Sequence, residues 1–147
     1  MPKLVAALSL IAALLLPQAA GAADLEANKR VVLAFYELAL NKMDFEAAAK
    51  HFGPRYIQHN PNAPDGIEGF RQFIAMRKEK TPNARSEIKR VIAEGDLVVL
   101  HVHGVREPGQ RGVAIIDIFR LENGKIVEHW DVVQPIPETP ANNNGMF

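Results

Sequence analysis

Asn123-Gly124 stands between two runs of alternating apolar residues, Val113 to Leu121 and Lys125 to Gln134. Asn-Gly tolerates the left-handed backbone of a tight hairpin turn better than almost any other pair, so these runs read as two antiparallel strands. Two more strands precede them. Arg85 to Glu94 alternates and is bounded by Gly95-Asp96, and the β-branched run Leu97 to Glu107 ends at Pro108-Gly109. The C-terminal half is therefore a meander, and whatever precedes it must cover one face of a sheet.

The N-terminal half supplies helices. Val32, Phe35, Tyr36, Ala39 and Met43 recur at helical spacing, which predicts a helix over Leu25 to Met43. Asp44 is a suitable N-cap for a second helix over Phe45 to Phe52, stopped by Pro54. Tyr56 to Pro61 reads as a short extended piece, followed by turn chemistry in Asn60-Pro61-Asn62-Ala63-Pro64. Asp65 and Glu68 have the spacing of a capping box that opens a third helix, running to about Lys80 and burying Ile67, Phe70 and Ile74. Helices followed by a meander predict an α+β fold: a cone-shaped barrel in which a curved antiparallel sheet wraps on about three N-terminal helices. The open mouth of such a cone is a natural pocket.

Composition bounds the partners. The 147 residues fit one domain. Lysine plus arginine and aspartate plus glutamate both number 17, and no basic run occurs, which argues against nucleic acid and anionic membranes. With no cysteine, disulfides, thiolate nucleophiles and zinc-thiolate sites are excluded. Lys3, the apolar run Leu4 to Leu16 and the small-residue stretch Ala20-Gly21-Ala22 have the form of a signal peptide over residues 1–22. The apolar run is shorter than the ~20 residues of a spanning helix, so no membrane anchor is expected after cleavage. The mature chain is expected to be exported, periplasmic or secreted, with a domain over residues 23–135 and an irregular tail over 136–147.

Two registers are open for the last hairpin. A two-residue turn pairs Phe119 with Glu128. A three-residue loop with a G1 bulge at Gly124 pairs Phe119 with Val127 and Ile118 with Glu128. The second is preferred, because it groups Phe119, Val127, Asp117, His129 and Asp131 on one face and keeps Arg120 and Glu128 together on the other. It sets Asp117 opposite His129, with Asp131 one pleat further. If that face lines the pocket, two carboxylates and an imidazole enter a partly apolar hollow, where burial disfavours the charged form of a carboxylate. A base so placed can remove a proton next to a carbonyl. The competing reading is a cross-strand pair on a solvated face. His59 either joins this group or bonds its own turn. Phe35, Tyr36, Tyr56, Phe119 and His103 are candidate substrate contacts, although residues like Phe35, Tyr36 and Tyr56 are more often core than ligand contacts. His101 and His103 share a face, a weak metal signal, and no metal or cofactor is expected. The apolar stripe Ile116, Ile118, Trp130 and Val132 on the other sheet face suggests a homodimer interface or a surface covered by the tail.

The block from Asp117 to Asp131, Asp-Ile-Phe-Arg-Leu-Glu-Asn-Gly-Lys-Ile-Val-Glu-His-Trp-Asp, resembles the terminal hairpin of SnoaL-like proteins. These belong to the nuclear transport factor 2-like superfamily, which also holds ketosteroid isomerase and scytalone dehydratase. The Phe35-Tyr36 helix, the segment Tyr56 to Pro61 and the helix from Gly66 to Arg77 fall in the family's order. The resemblance implies a pocket-forming domain. In the family's polyketide cyclases a last-strand aspartate, similar in position to Asp131, is acid and base in an aldol closure. A family histidine is replaced here by Asp117, and a family asparagine matches the region of Gln58 and His59. The resemblance is nearer to SnoaL-like aldol-condensation proteins, implying a cofactor-free enzyme on a small carbonyl compound, with Asp131, Asp117, His59 and His129 as its site, or a non-catalytic binding domain of the same shape.

Overall fold

The computed structural model describes residues Asp24–Phe147; the expected signal peptide, residues 1–22, lies outside them. Helix α1 (Leu25–Tyr36) starts at Asp24, whose Oδ1 accepts from Ala27 N at 2.9 Å. Its apolar stripe is buried as the spacing requires, from Val32 through Met43. The expected single helix to Met43 changes form at Glu37. Residues Glu37–Asn41 make a π-helical turn, and Met43 adopts a left-handed φ of 52°. That wider turn redirects the chain into α2 (Phe45–Ala49), where Asp44 Oδ1 caps Ala47 N at 3.0 Å.

α2 is shorter than the sequence predicts. Phe52 and Pro54 belong to strand β1 (Phe52–Gln58), which starts earlier than the expected Tyr56. Proline is tolerated there because β1 is an edge strand. α3 (Gly66–Lys80) follows, but the predicted capping box does not form. Asp65 Oδ1 instead accepts from Gln58 N at 2.8 Å, tying the helix entrance to the end of β1. Gly69 lets α3 lie against the preceding loop: a Cβ there would stand 2.5 Å from Pro64 O. Gly69→Ala should cost about 1–3 kcal/mol through this backbone clash, read as a lowered midpoint in urea unfolding.

The meander is as expected: β2 (Arg85–Glu94), β3 (Leu97–Val105), β4 (Val113–Glu122) and β5 (Lys125–Pro135). The sheet order is β1-β5-β4-β3-β2. Four strands are antiparallel neighbours, whereas β1 joins β5 in parallel. Val98, Leu100, Val102, Phe119, Leu121 and Ile126 point inward and pack with the α1 stripe into the core.

The last hairpin uses neither expected register. Asn123 and Gly124 have φ of 51° and 71°, a two-residue turn pairing Glu122 with Lys125. A bulge at Val127 then shifts the ladder, so Phe119 faces His129 and Asp117 faces Asp131. The expected opposition of Phe119 to Val127, of Ile118 to Glu128 and of Asp117 to His129 is thereby corrected. The face assignment of Asp117, Phe119, His129 and Asp131 holds. Ile126, not Val127, joins the Phe119 side of the core.

The outer sheet face is held by charge. Arg120 donates to Glu128 Oε2 and Glu122 Oε1, Arg55 to Glu122, and His59 Nε2 to Glu128 Oε1 at 2.8 Å. His59 and then Arg120 hold the Glu128 carboxyl below the ordinary glutamate range. Because the folded state binds this proton less readily than the unfolded chain, the stabilisation is present above the unfolded pKa and disappears as pH falls through the folded one. Glu128→Gln should therefore flatten the acid limb of a stability–pH curve below about pH 4.5. Part of the same face carries the tail: Phe147 packs on His101 and His103, with ring centroids at 5.3 and 4.7 Å. Ile92, Ile116 and Val132 stay exposed.

Candidate active site

Between the helices and the inner sheet face lies a cavity of about 680 Å³. Phe35, Tyr36, Tyr56, Phe70, Phe73 and Phe119 give it an apolar wall, and Asp117, His129 and Asp131 enter from β4 and β5. Alternation along each strand sends these three side chains to the concave side, and the Asp117–Asp131 pairing brings the carboxylates together.

A continuous hydrogen-bond chain fixes them. Tyr36 Oη donates to Asp117 Oδ2 at 2.9 Å, and His129 Nε2 lies 3.0 Å from Asp117 Oδ1. His129 Nδ1 donates to Gln58 Oε1 at 2.9 Å. That direction follows from Asn60 N, a backbone donor, which binds the same Gln58 oxygen at 2.8 Å and so identifies it as the acceptor. With Nδ1–H spent on Gln58, the short Nε2–Oδ1 contact requires one more proton, shared by Asp117 and His129. Asp117 and His129 therefore form a buried pair whose charge is internally compensated. Burial first, and then Asp117, raise the Tyr36 pKa well above the ordinary tyrosine value, so Tyr36 remains a donor.

Asp131 is placed differently. It is half-buried and lines the cavity, and Asn60 Nδ2 donates to its Oδ2 at 2.7 Å, while Oδ1 has no side-chain partner among the described residues. Gln58 Nε2 donates to Tyr56 Oη at 3.0 Å, so the Tyr56 hydroxyl proton is available to a ligand. Burial, then Asp117 and Asp131, raise the Tyr56 pKa and keep that proton in place. The site thus offers a cavity-lining carboxylate with one unpartnered oxygen, a neutral phenol donor and a proton-sharing pair. One atom each from Asp117, His129 and Asp131 lies within 4.8 Å of the others, a spacing that could also gather a divalent cation. A cation there would have to displace the proton shared by Asp117 and His129.

Two expected site residues lie elsewhere. His59 N donates to His129 O at 3.0 Å, continuing the β1–β5 pairing. Alternation then turns the His59 ring outward, stacked on Trp130 at 4.7 Å, while Gln58 and Asn60 turn inward. His103 also faces outward, its Nε2 donating to Arg111 O at 2.7 Å. Phe35, Tyr36, Tyr56 and Phe119 do line the cavity. Asn60 is absent from the expected set, and Gln58 enters it only as part of the region matching a family asparagine; the i, i+2 spacing of Tyr56, Gln58 and Asn60 is the signal for both.

The SnoaL-like domain model matches residues 32–129. No curated protein matches the chain. Among solved structures, TsrD from Streptomyces laurentii is 25% identical, with 75% of this chain and 90% of that one covered and a TM-score of 0.63. A candidate polyketide cyclase from Acidithiobacillus ferrooxidans is 18% identical, with coverages of 73% and 87% and a TM-score of 0.62. An NTF2-like protein of unknown function from Cytophaga hutchinsonii is 22% identical, with coverages of 74% and 90% and a TM-score of 0.58. These likenesses establish the cone-shaped α+β architecture.

Proposed function

The chain belongs to the SnoaL-like family, and on that premise we propose that it is a cofactor-independent acid/base enzyme acting on a small, partly apolar carbonyl compound. The observation that carries this reading is the Asp131 carboxylate, with one oxygen unpartnered, lining the same aromatic hollow as the Tyr56 hydroxyl. Asp131 takes a proton from the carbon next to the carbonyl. The electron pair moves to the carbonyl oxygen, where the Tyr56 hydroxyl donates to the developing enolate. The enolate carbon then attacks a second carbonyl, whose oxygen takes the proton held by Asp131, giving aldol closure; where a double bond extends the enolate, its far carbon takes that proton instead, giving isomerisation. Asp117 and His129 are positioning residues: both ring nitrogens of His129 are engaged, and the pair fixes Gln58, which in turn orients Tyr56.

A non-catalytic binding domain is the second reading. It is favoured by the completeness of the network, since no buried side-chain nitrogen or oxygen among the described residues lacks a partner. Deuterium exchange next to the carbonyl of simple aryl ketones, followed by NMR in heavy water, separates the two. Exchange that requires Asp131 supports the enzyme; ketone binding without exchange supports the binding domain. The Leu4 to Leu16 run supports export of the chain, and the exposed Ile92, Ile116 and Val132 support pairing of two copies through the outer sheet face. Among the described residues no helix is long and apolar enough to cross a membrane.

A further inference from the structure

The cavity has a second polar region that acid/base chemistry does not use. Arg77, in the last turn of α3, and Arg106, just after β3, both line it. Arg77 is half-buried, and its Nε donates to Leu40 O at 3.3 Å. Among the described residues its terminal nitrogens have no hydrogen-bond or ion-pair partner, whereas Arg55, Arg71, Arg111 and Arg120 are each matched to a glutamate. Arg106 has no ion pair either, and Arg85 adds a third guanidinium nearby, its Nη1 donating only to Ala84 O. Asp117 and Asp131 line the same cavity yet form no ion pair with Arg77 or Arg106. Opposite charges are thus held apart within one hollow.

Holding the half-buried Arg77 beside the exposed Arg106 and Arg85 without a counter-ion is unfavourable for Arg77. Burial, followed by the repulsion of Arg106 and Arg85, lowers the Arg77 pKa, against a raising influence from Tyr36. An anion in the cavity would reverse both the burial penalty and the repulsion. A guanidinium with its terminal nitrogens open presents a planar fork suited to a carboxylate. Phe35, Phe70, Phe73, Phe119, Ile115 and Val133 supply much of the remaining wall, so an apolar body suits the anion.

We propose that Arg77 and Arg106 form a carboxylate-binding subsite, and that the cavity takes a small apolar keto acid whose carboxylate sits on these guanidiniums while its carbonyl lies at Asp131 and Tyr56. The placement of the carbonyl rests on the acid/base reading above; the carboxylate subsite stands on its own. The separation of charge would orient the ligand, because a carboxylate at the Asp131 end meets repulsion. Phosphate esters share the anionic chemistry, and a phosphorylated aromatic serves as the competing arm.

The test is calorimetric titration of the mature chain with β-benzoylpropionate, its methyl ester and phenyl phosphate. Wild type should bind the acid about tenfold or more tightly than the ester, as expected for a charge-assisted pair, and more tightly than phenyl phosphate. Arg77→Met should remove the preference for the acid over the ester, and Arg106→Gln should reduce it, in proteins with unchanged near-ultraviolet dichroism. Asp131→Asn should lower deuterium exchange by about 10²–10⁴-fold and keep the acid preference. Equal affinity for acid and ester, no acid binding at millimolar concentration, or a preference for phenyl phosphate overturns the subsite. A preserved acid preference with no exchange in wild type overturns the catalytic reading alone.

Discussion

Asp131→Asn lowers the rate of deuterium exchange by about 10²–10⁴-fold, the usual contribution of a positioned general base, while leaving the fold intact. The asparagine has nearly the same shape, and its amide oxygen can still accept from Asn60 Nδ2, the one protein partner of Asp131. What disappears is the basic carboxylate among the residues that line the cavity. Asp117 cannot replace it: its oxygens are engaged by Tyr36 and His129, and the proton there already serves that pair. His59→Ala and His103→Ala are the matched controls. Both rings face away from the cavity, on Trp130 and Phe147 respectively, so both variants should exchange within about twofold of wild type, a change below ~0.5 kcal/mol. Exchange by NMR, with thermal unfolding of each variant to confirm folding, reads all three. An Asp131→Asn protein that exchanges at the wild-type rate removes Asp131 from the chemistry; a large loss in His59→Ala would place the active face on the wrong side of the sheet.

The hairpin shows why a sequence can disclose a face and conceal a partner. A two-residue turn in place of a three-residue loop shifts every pairing by one, and the Val127 bulge shifts it by one again. Side-chain direction depends only on whether the total shift is even, so Asp117, His129 and Asp131 stay on the concave side. The identity of opposed residues depends on the shift itself, and the close meeting of Asp117 with Asp131 was therefore not legible. Periodicity disclosed the buried stripe of α1 because each member packs independently into the core. It did not disclose the π turn at Glu37–Asn41, which helical spacing tolerates and the later packing of Met43 and Phe45 requires. His59 was the more conspicuous residue chemically, yet strand alternation gave the cavity to its neighbours, Gln58 and Asn60. Arg77 carried no local signal at all. Its place in the site arises only when the end of α3 approaches Leu40, a tertiary event.

Phe35→Ala should lower the free energy of unfolding by about 3–5 kcal/mol, among the largest losses available to a single substitution in this chain. Phe35 is 1% exposed, and its ring meets three others, those of Phe52, Phe70 and Phe119, at centroid distances of 5.1, 5.4 and 5.8 Å. Those rings come from β1, α3 and β4, so the hollow left by alanine borders three separate elements. None can close it without moving a strand or helix that other contacts hold, and a hollow that cannot collapse incurs the larger penalty. A domain of this size has roughly 5–15 kcal/mol in total, so the variant should unfold at a much lower urea concentration with an unchanged slope. The effect reaches the chemistry through one further contact. Phe119 packs on His129 at 4.8 Å, and His129 holds Gln58, which orients Tyr56. Loss of Phe35 support should therefore slow exchange even at temperatures where Phe35→Ala is fully folded, whereas Phe35→Leu, which refills most of the volume, should recover much of both stability and rate. A loss below about 1 kcal/mol in Phe35→Ala would mean that the aromatic cluster repacks freely, and the rigid wall on which Asp131 chemistry depends would not exist.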